Sequence, residues 1–209
     1  MQCEYSMELS IQRRLDIISA LRRGTVPRSS LDAFAVGLES FHGALDRELL
    51  DVKSGRAVFK AVRGEYGCGK TFFARWLADK ARKLGFATSE VQISETETPL
   101  YRLETVYRRM NERLATSDSF DGAFRNIIDA WFYTLEQDIL AEGEVAETDE
   151  AQLLIKTNEL LENRLASLGD TAQTFSLALR GYRRAQAEND LPTADGIAAW
   201  LAGQPNVAA

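Results

Sequence analysis

Residues 64–71 read Gly64, Glu65, Tyr66, Gly67, Cys68, Gly69, Lys70 and Thr71, matching the spacing G-x-x-x-x-G-K-[ST] at every fixed position. No other stretch of the chain restricts its fold as strongly. To hold a phosphate, several backbone N–H groups must point at one anion, and a chain curls that tightly only where glycines tolerate unusual dihedrals and offer no Cβ to block approach. Gly64, Gly67 and Gly69 supply that freedom. A helix starting near Lys70 aims its unpaired N–H groups and positive dipole end at the same anion. Lys70 is then placed to reach the β- and γ-phosphates, and the Thr71 hydroxyl to ligate Mg²⁺. All eight residues are candidate nucleotide-binding residues, Thr71 the candidate metal ligand, and ATP and Mg²⁺ the implied cofactors. Cys68 stands beside the helix N-terminus and Lys70, both of which favour a thiolate. A small loop residue is nevertheless a simpler reading of it than a redox switch.

The flanking sequence predicts a strand, a loop and a helix in order. Residues 57–63, Ala-Val-Phe-Lys-Ala-Val-Arg, are short and rich in β-branched and aromatic side chains, bounded by Gly55 and Gly64. Phe73, Leu77, Ala81 and Leu84 then recur at helical spacing up to Gly85. Residues 86–94, with Val91 and Ile93, read as a second strand, giving a β-α-β unit with parallel strands.

Two helices precede this unit. Residues 10–23 carry Ile11, Leu15, Ile18 and Leu21 as one expected buried stripe, stopped by Gly24 and Pro27; residues 30–52 carry Leu31, Phe34, Leu38, Phe41, Leu45 and Leu49, with Ser29 or Ser30 as N-cap. His42, beside that face and without a catalytic partner motif, reads as a helix-surface or core-edge residue. Beyond Ile93 the pattern is helical. Thr98 and Pro99 look like N-cap and N1 of a helix containing Leu103, Val106, Tyr107, Met110 and Leu114. Further helices are expected over 120–140 (Phe124, Ile127, Ile128, Trp131, Leu135 and Ile139 inward), 150–168, 171–188 (Phe175, Leu179 and Tyr182) and 194–202, with seven acids and no base between Glu136 and Glu150. The expected organisation is N-terminal helices over 1–54, a phosphate-binding core over 55–97 and a helical region over 98–209. The expected fold class is α/β: an AAA-like P-loop NTPase β-α-β core with few parallel strands and a large helical portion. Because a parallel sheet is normally buried on both faces and built from several strands, two strands mark an incomplete ATPase domain.

Composition narrows the function classes. The chain has 209 residues, 45% of them hydrophobic and 27% charged, a soluble globular balance. No apolar run approaches the ~18 residues of a membrane span, and the N-terminus lacks a basic and an apolar signal region, so a cytoplasmic protein is expected. Thirty-one acidic and 25 basic side chains give a net charge of −6, which does not favour nucleic-acid binding. Two distant cysteines, Cys3 and Cys68, and one histidine supply neither a disulfide framework nor a zinc site. Hydrolysis would need a carboxylate at the end of an apolar strand, and no such strand ending in paired acids follows the loop. Glu95 and Glu97, just past the second expected strand, serve equally well as ligand or switch residues and as caps of the helix expected at Pro99. Arg102, Arg108, Arg109 and Arg113 recur on one helix; a solvated face is the simpler reading than a trans-acting arginine or a DNA contact.

The run FKAVRGEYGCGKTFFARWLA at 59–78, then EVQISETETPLYRLETVYRR at 90–109, with the segment 24–37 upstream, resembles the ATP-binding proteins of BREX-type bacterial phage-defence systems. The resemblance runs along most of the chain and includes residues that phosphate binding does not dictate. It implies an AAA-type P-loop ATPase built on a parallel sheet and acting with other phage-defence proteins, oligomerisation being compatible with such a role. By the same resemblance, Val26 and Pro27 help to enclose adenine, and Ser94 and Glu95 sense nucleotide. Family members are longer, which implies that the strand organising Mg²⁺ lies beyond residue 209. Two other classes compete: a small-molecule or nucleotide kinase, which would usually open with its phosphate loop rather than after some sixty residues, and a non-catalytic helical interaction module.

Overall fold

The computed structural model describes residues 10–27, 31–143, 145–146, 148–166 and 173–205. Cys3, the expected caps Ser29 and Ser30, and the expected helix limits Leu168 and Thr171 lie outside those residues. The described elements are α1 (Ile11–Arg22), a 3-10 turn (Leu31–Phe34), α2 (Glu39–Lys53), α3 (Lys70–Lys83), β1 (Thr88–Ser89), α4 (Leu103–Glu112), β2 (Leu114–Ala115), α5 (Phe124–Glu142), α6 (Glu150–Ala166), α7 (Gln173–Ala187) and α8 (Leu191–Leu201). They fall into two compact units, Met1–Ala87 and Thr88–Ala209.

In the first unit α1 begins where Ser10 caps it, its Oγ accepting from the Arg13 N–H at 3.3 Å. The buried side of α1 is Ile17 and Ala20, whereas Ile11, Leu15, Ile18 and Leu21, expected inside, are 46% to 72% exposed. The single helix expected over 30–52 is instead a 3-10 turn and α2, interrupted by a turn at Val36 and Gly37. The core of the unit is Leu31, Leu45 and Trp76, with Val26, Leu38, Phe73 and Leu77 packed around them. Trp76 is only 1% exposed, its indole N–H donates to Asp32 Oδ1 at 3.0 Å, and the His42 ring stacks on it with centroids 5.1 Å apart. His42 is thus a core-edge residue, as its position on the helix suggests.

Lys83 clasps the 3-10 turn to α3 by pairing with Asp32 on the turn and with Asp79 at 2.9 Å on its own helix. Burial pushes the Asp32 carboxyl upward, but the Lys83 ammonium and the Trp76 N–H outweigh it, so Asp32 titrates below the ordinary 3.8. Lys83 is likewise raised above 10.5: burial opposes its charge, and the two carboxylates more than compensate. A depressed carboxyl pKa contributes stability above its unfolded value and loses it as pH falls through the folded one. Thermal melts of wild type should therefore lose stability below about pH 4, and Asp32→Asn should flatten that acid limb. Equal acid slopes for the two proteins would remove Asp32 from this role.

The expected parallel β-α-β core is not what the chain forms; the protein is mainly helical. Residues 57–63 belong to no strand or helix, and Phe59 at their centre is 91% exposed. A strand satisfies its backbone through neighbouring strands, and among the described residues no backbone N–H or C=O of 57–63 has a partner. Strong β propensity without a pairing neighbour therefore yields no strand. The second expected strand, 86–94, shrinks to Thr88–Ser89, which pairs antiparallel with β2 through Thr88 opposite Ala115 and Ser89 opposite Leu114. Sequence periodicity does not predict β2, because Leu114 continues the spacing of an inward helix face.

The second unit is built on α5 to α8. Ile128, Phe132, Leu135, Leu161, Leu179 and Tyr182 form its centre, with Ala194, Ala198 and Leu201 contributed by α8. The inward face expected for α5 holds at Ile128, Leu135 and Ile139. Asp190 caps α8 by accepting from the Thr193 N–H at 3.2 Å. One buried polar knot crosses the core: the Tyr182 hydroxyl donates to Asp129 Oδ1 at 2.7 Å and accepts from Arg125 Nε at 3.1 Å. Burial and Asp129 push the Tyr182 hydroxyl up to about 12, keeping it protonated as the donor that α7 offers α5.

Candidate functional site

The 64–71 loop leads directly into α3, and its local geometry follows from its glycines. Gly69 precedes the helix at φ 90° and Gly67 lies at φ 83°, both in the left-handed region where a side chain is strained. A Cβ on Gly64 would meet Cys68 Sγ at 2.5 Å, so a side chain at position 64 would require the Cys68 thiol to turn away. The Cys68 N–H donates to the Glu65 carbonyl at 3.4 Å, and the Phe73 N–H to the Gly69 carbonyl at 2.9 Å. Gly69 gives α3 no side-chain cap. The first-turn N–H groups of this 14-residue helix are therefore left for an external acceptor.

Lys70, the first residue of α3, folds back over the loop. Its ammonium donates to the Gly64 carbonyl at 2.8 Å and to the Glu65 carbonyl at 2.7 Å, and lies 3.9 Å from Cys68 Sγ. The one cation of the motif is thus held at the centre of the curl, beside the uncapped helix end. Thr71 and Tyr66 are exposed, and Cys68 is a free, exposed thiol. These features suit a phosphate group: a positive helix end, a lysine within the ring and no carboxylate side chain bonded to it. They are also compatible with Mg²⁺, which takes one or two protein oxygens and draws the rest from phosphate and water; the exposed Thr71, in the first turn of α3, is one residue of the motif that carries such an oxygen. No group of three or more His, Cys, Asp or Glu side chains able to hold a metal occurs among the described residues.

The remaining sequence candidates are distributed as follows. Val26 packs against the Trp76 cluster, its carbonyl accepts from Arg75 Nη1 of α3 at 3.4 Å, and Pro27 is buried. The segment that follows α1 is thereby tied to the helix that carries Lys70. Ser94 and Glu95 belong to the second unit. Ser94 Oγ accepts from the N–H groups of Glu97 at 3.0 Å and Thr98 at 3.3 Å, which makes it a turn former. Neither Glu95 nor Glu97 caps a helix at Pro99, because α4 begins at Leu103, with Arg102 as an N-cap that makes no side-chain bond. Arg108 and Arg109 pair with Glu112, and Arg113 lies 3.6 Å from Asp121, so these three arginines are engaged within their own unit. The clasp of Asp32, Trp76 and Lys83 has no sequence signal, since its members are 44 and 51 residues apart.

The family model described as BREX system ATP-binding protein BrxC/D matches residues 9–209. The chain belongs to this family. No curated protein and no solved structure matches it. Membership makes the chain a BREX system ATP-binding protein, and the match covers both compact units of this BrxC/D-family chain. No helix among its described residues is long and apolar enough to cross a membrane.

Proposed function

We propose that this BrxC/D-family protein binds Mg-ATP at residues 64–71, with Lys70 on the β- and γ-phosphates, Thr71 on the metal and the α3 N-terminus on the phosphate oxygens. The observation that carries the reading is the Lys70 ammonium folded onto the Gly64 and Glu65 carbonyls beside an uncapped helix. A phosphate entering the loop exchanges those neutral carbonyl acceptors for anionic oxygens, so that the ammonium gains an ion pair in place of an ion–dipole contact. Residues 66–69 contribute backbone rather than side chains, which is why the exposed Tyr66 and the free Cys68 are compatible with the site. No residue of the chain is assigned as a hydrolytic acid. Other BREX components are the natural recipients of the nucleotide-dependent change.

Titration of a fluorescent ATP analogue with Mg²⁺ and with EDTA tests the assignment. Wild type should bind and bind more tightly with Mg²⁺, whereas Thr71→Ala should lose most of the Mg²⁺ enhancement, about tenfold or more. A wild-type chain that ignores ATP at millimolar concentration would sink the proposal.

A further inference from the structure

The net charge of −6 conceals a partition. Residues 1–87 carry 15 Lys and Arg against 10 Asp and Glu, a balance of +5; residues 88–209 carry 10 against 21, a balance of −11. The second unit spends its own cations internally: eight of its nine arginines stand within 4.0 Å of a carboxylate. A surplus of this size draws basic partners toward the unit. One groove within it has the size and chemistry to receive a basic side chain.

The groove runs between α5 and α7. Asp129, Phe132, Tyr133 and Glu136 share one face of α5 at spacings of three, four and seven residues, and Arg183 and Gln186 line it from α7. Its volume is about 280 Å³, below the roughly 300–1,000 Å³ of cofactor and drug-sized pockets, which leaves room for one long side chain. Phe132 is buried, whereas Tyr133 is 63% exposed and its hydroxyl has no partner among the described residues. Asp129 Oδ1 accepts from the Tyr182 hydroxyl at 2.7 Å and from Gln186 Nε2 at 2.9 Å, but Asp129 Oδ2 has only Arg125 Nε, at 4.0 Å. Arg183 Nη2 pairs with Glu136 Oε1, which leaves Glu136 Oε2 and Gln186 Oε1 open among the described residues.

Two carboxylates and one guanidinium thus line the groove, a surplus of one negative charge. An anion would face both carboxylates. An apolar group would strip water from the three open oxygens and return no hydrogen bond. A cation with several N–H donors satisfies them, and the planar guanidinium does so better than an ammonium, because it offers five donors and stacks on an aromatic face.

We propose that the α5–α7 groove receives an arginine side chain from a basic segment of a partner protein. The guanidinium donates to Asp129 Oδ2 and Gln186 Oε1 and lies against the Tyr133 ring. The acidic surface of the unit steers the segment to the groove, and the groove selects the arginine within it.

Amide NMR of the full ¹⁵N-labelled chain, titrated with the capped peptide Ac-Gly-Lys-Arg-Lys-Gly-NH₂, tests this. Shifts should concentrate at 129–136 and 183–186 and saturate at about millimolar peptide. The same peptide with citrulline for arginine keeps the shape and loses the charge, and should bind about tenfold or more weakly. Asp129→Asn, whose remaining oxygen still accepts from Tyr182, should weaken the arginine peptide similarly. Tyr133→Ala changes no charge and should weaken it about two- to fivefold, with a melting temperature within about two degrees of wild type. Lys70→Ala should bind the peptide as wild type does, which keeps this result separate from nucleotide binding. Equal affinity for the two peptides, shifts spread over the acidic surface and indifferent to Tyr133→Ala, or no shifts at about 10 mM peptide would overturn the proposal. So would ethylguanidinium binding as tightly as the peptide, which would assign the groove to a small guanidine instead of a partner protein.

Discussion

Lys70→Ala weakens Mg-ATP binding at least about 100-fold, which corresponds to ~2.7 kcal/mol. The substitution removes the only cation that the structure holds inside the loop, where two carbonyls fix it. Its effect on folding should be small, within about 0.5 kcal/mol, because the two hydrogen bonds it removes are solvent-exposed and both carbonyls stay open to water. Isothermal titration with ATP, paired with a thermal melt, separates the two quantities. Equal affinity in wild type and variant would mean that ATP is held elsewhere, and the family's nucleotide would need a different site.

Trp76→Ala has the largest expected effect on folding. Trp76 is almost wholly buried on the inner side of α3, touches Leu31 and Leu45, and stacks with His42. Large aromatic truncations in cores cost about 3–5 kcal/mol. For a chain of this size that lowers the melting temperature by roughly 6–20 °C. Trp76→Phe keeps most of the volume but leaves Asp32 Oδ1 without its indole donor, a loss of about 1 kcal/mol. A melting temperature for Trp76→Ala within a degree or two of wild type would show that this cluster is not the core of the first unit. Because Lys70 lies nearly two turns before Trp76 on α3 and its ammonium is held by loop carbonyls, nucleotide affinity measured below the transition should fall less than stability does.

The geometry of the 64–71 loop was legible because its requirements are local. Left-handed backbone at Gly67 and Gly69, a helix starting at Lys70 and a Cβ-free position at Gly64 all follow from residue types within eight positions. The inward faces of α5 and α7 were recoverable in the same way. Strands were not. Residues 57–63 have the composition of a strand, but whether a strand exists depends on a neighbour with free backbone groups, and composition carries no information about that neighbour. The buried side of α1 was hidden for a related reason. Periodicity identifies an apolar stripe, yet Ile17 and Ala20 face the unit while the stripe of Ile11, Leu15, Ile18 and Leu21 faces outward. Whole-chain charge was uninformative as well, since +5 and −11 average to a value that describes neither unit.

By itself the sequence determined the motif, the start of the helix that carries it, and a resemblance along most of the chain to BREX ATP-binding proteins, which the family match over 9–209 bears out. These are properties of short segments, set by dihedral sterics, capping and residue identity. Tertiary structure alone decided that the protein is mainly helical, that Asp32 and Lys83 clasp the 3-10 turn to α3, and that α1 keeps its aliphatic face outward. Each of those depends on what lies alongside a segment in space: hydrogen-bond ladders, buried clusters and ion pairs join residues tens of positions apart, and no local pattern specifies their partners.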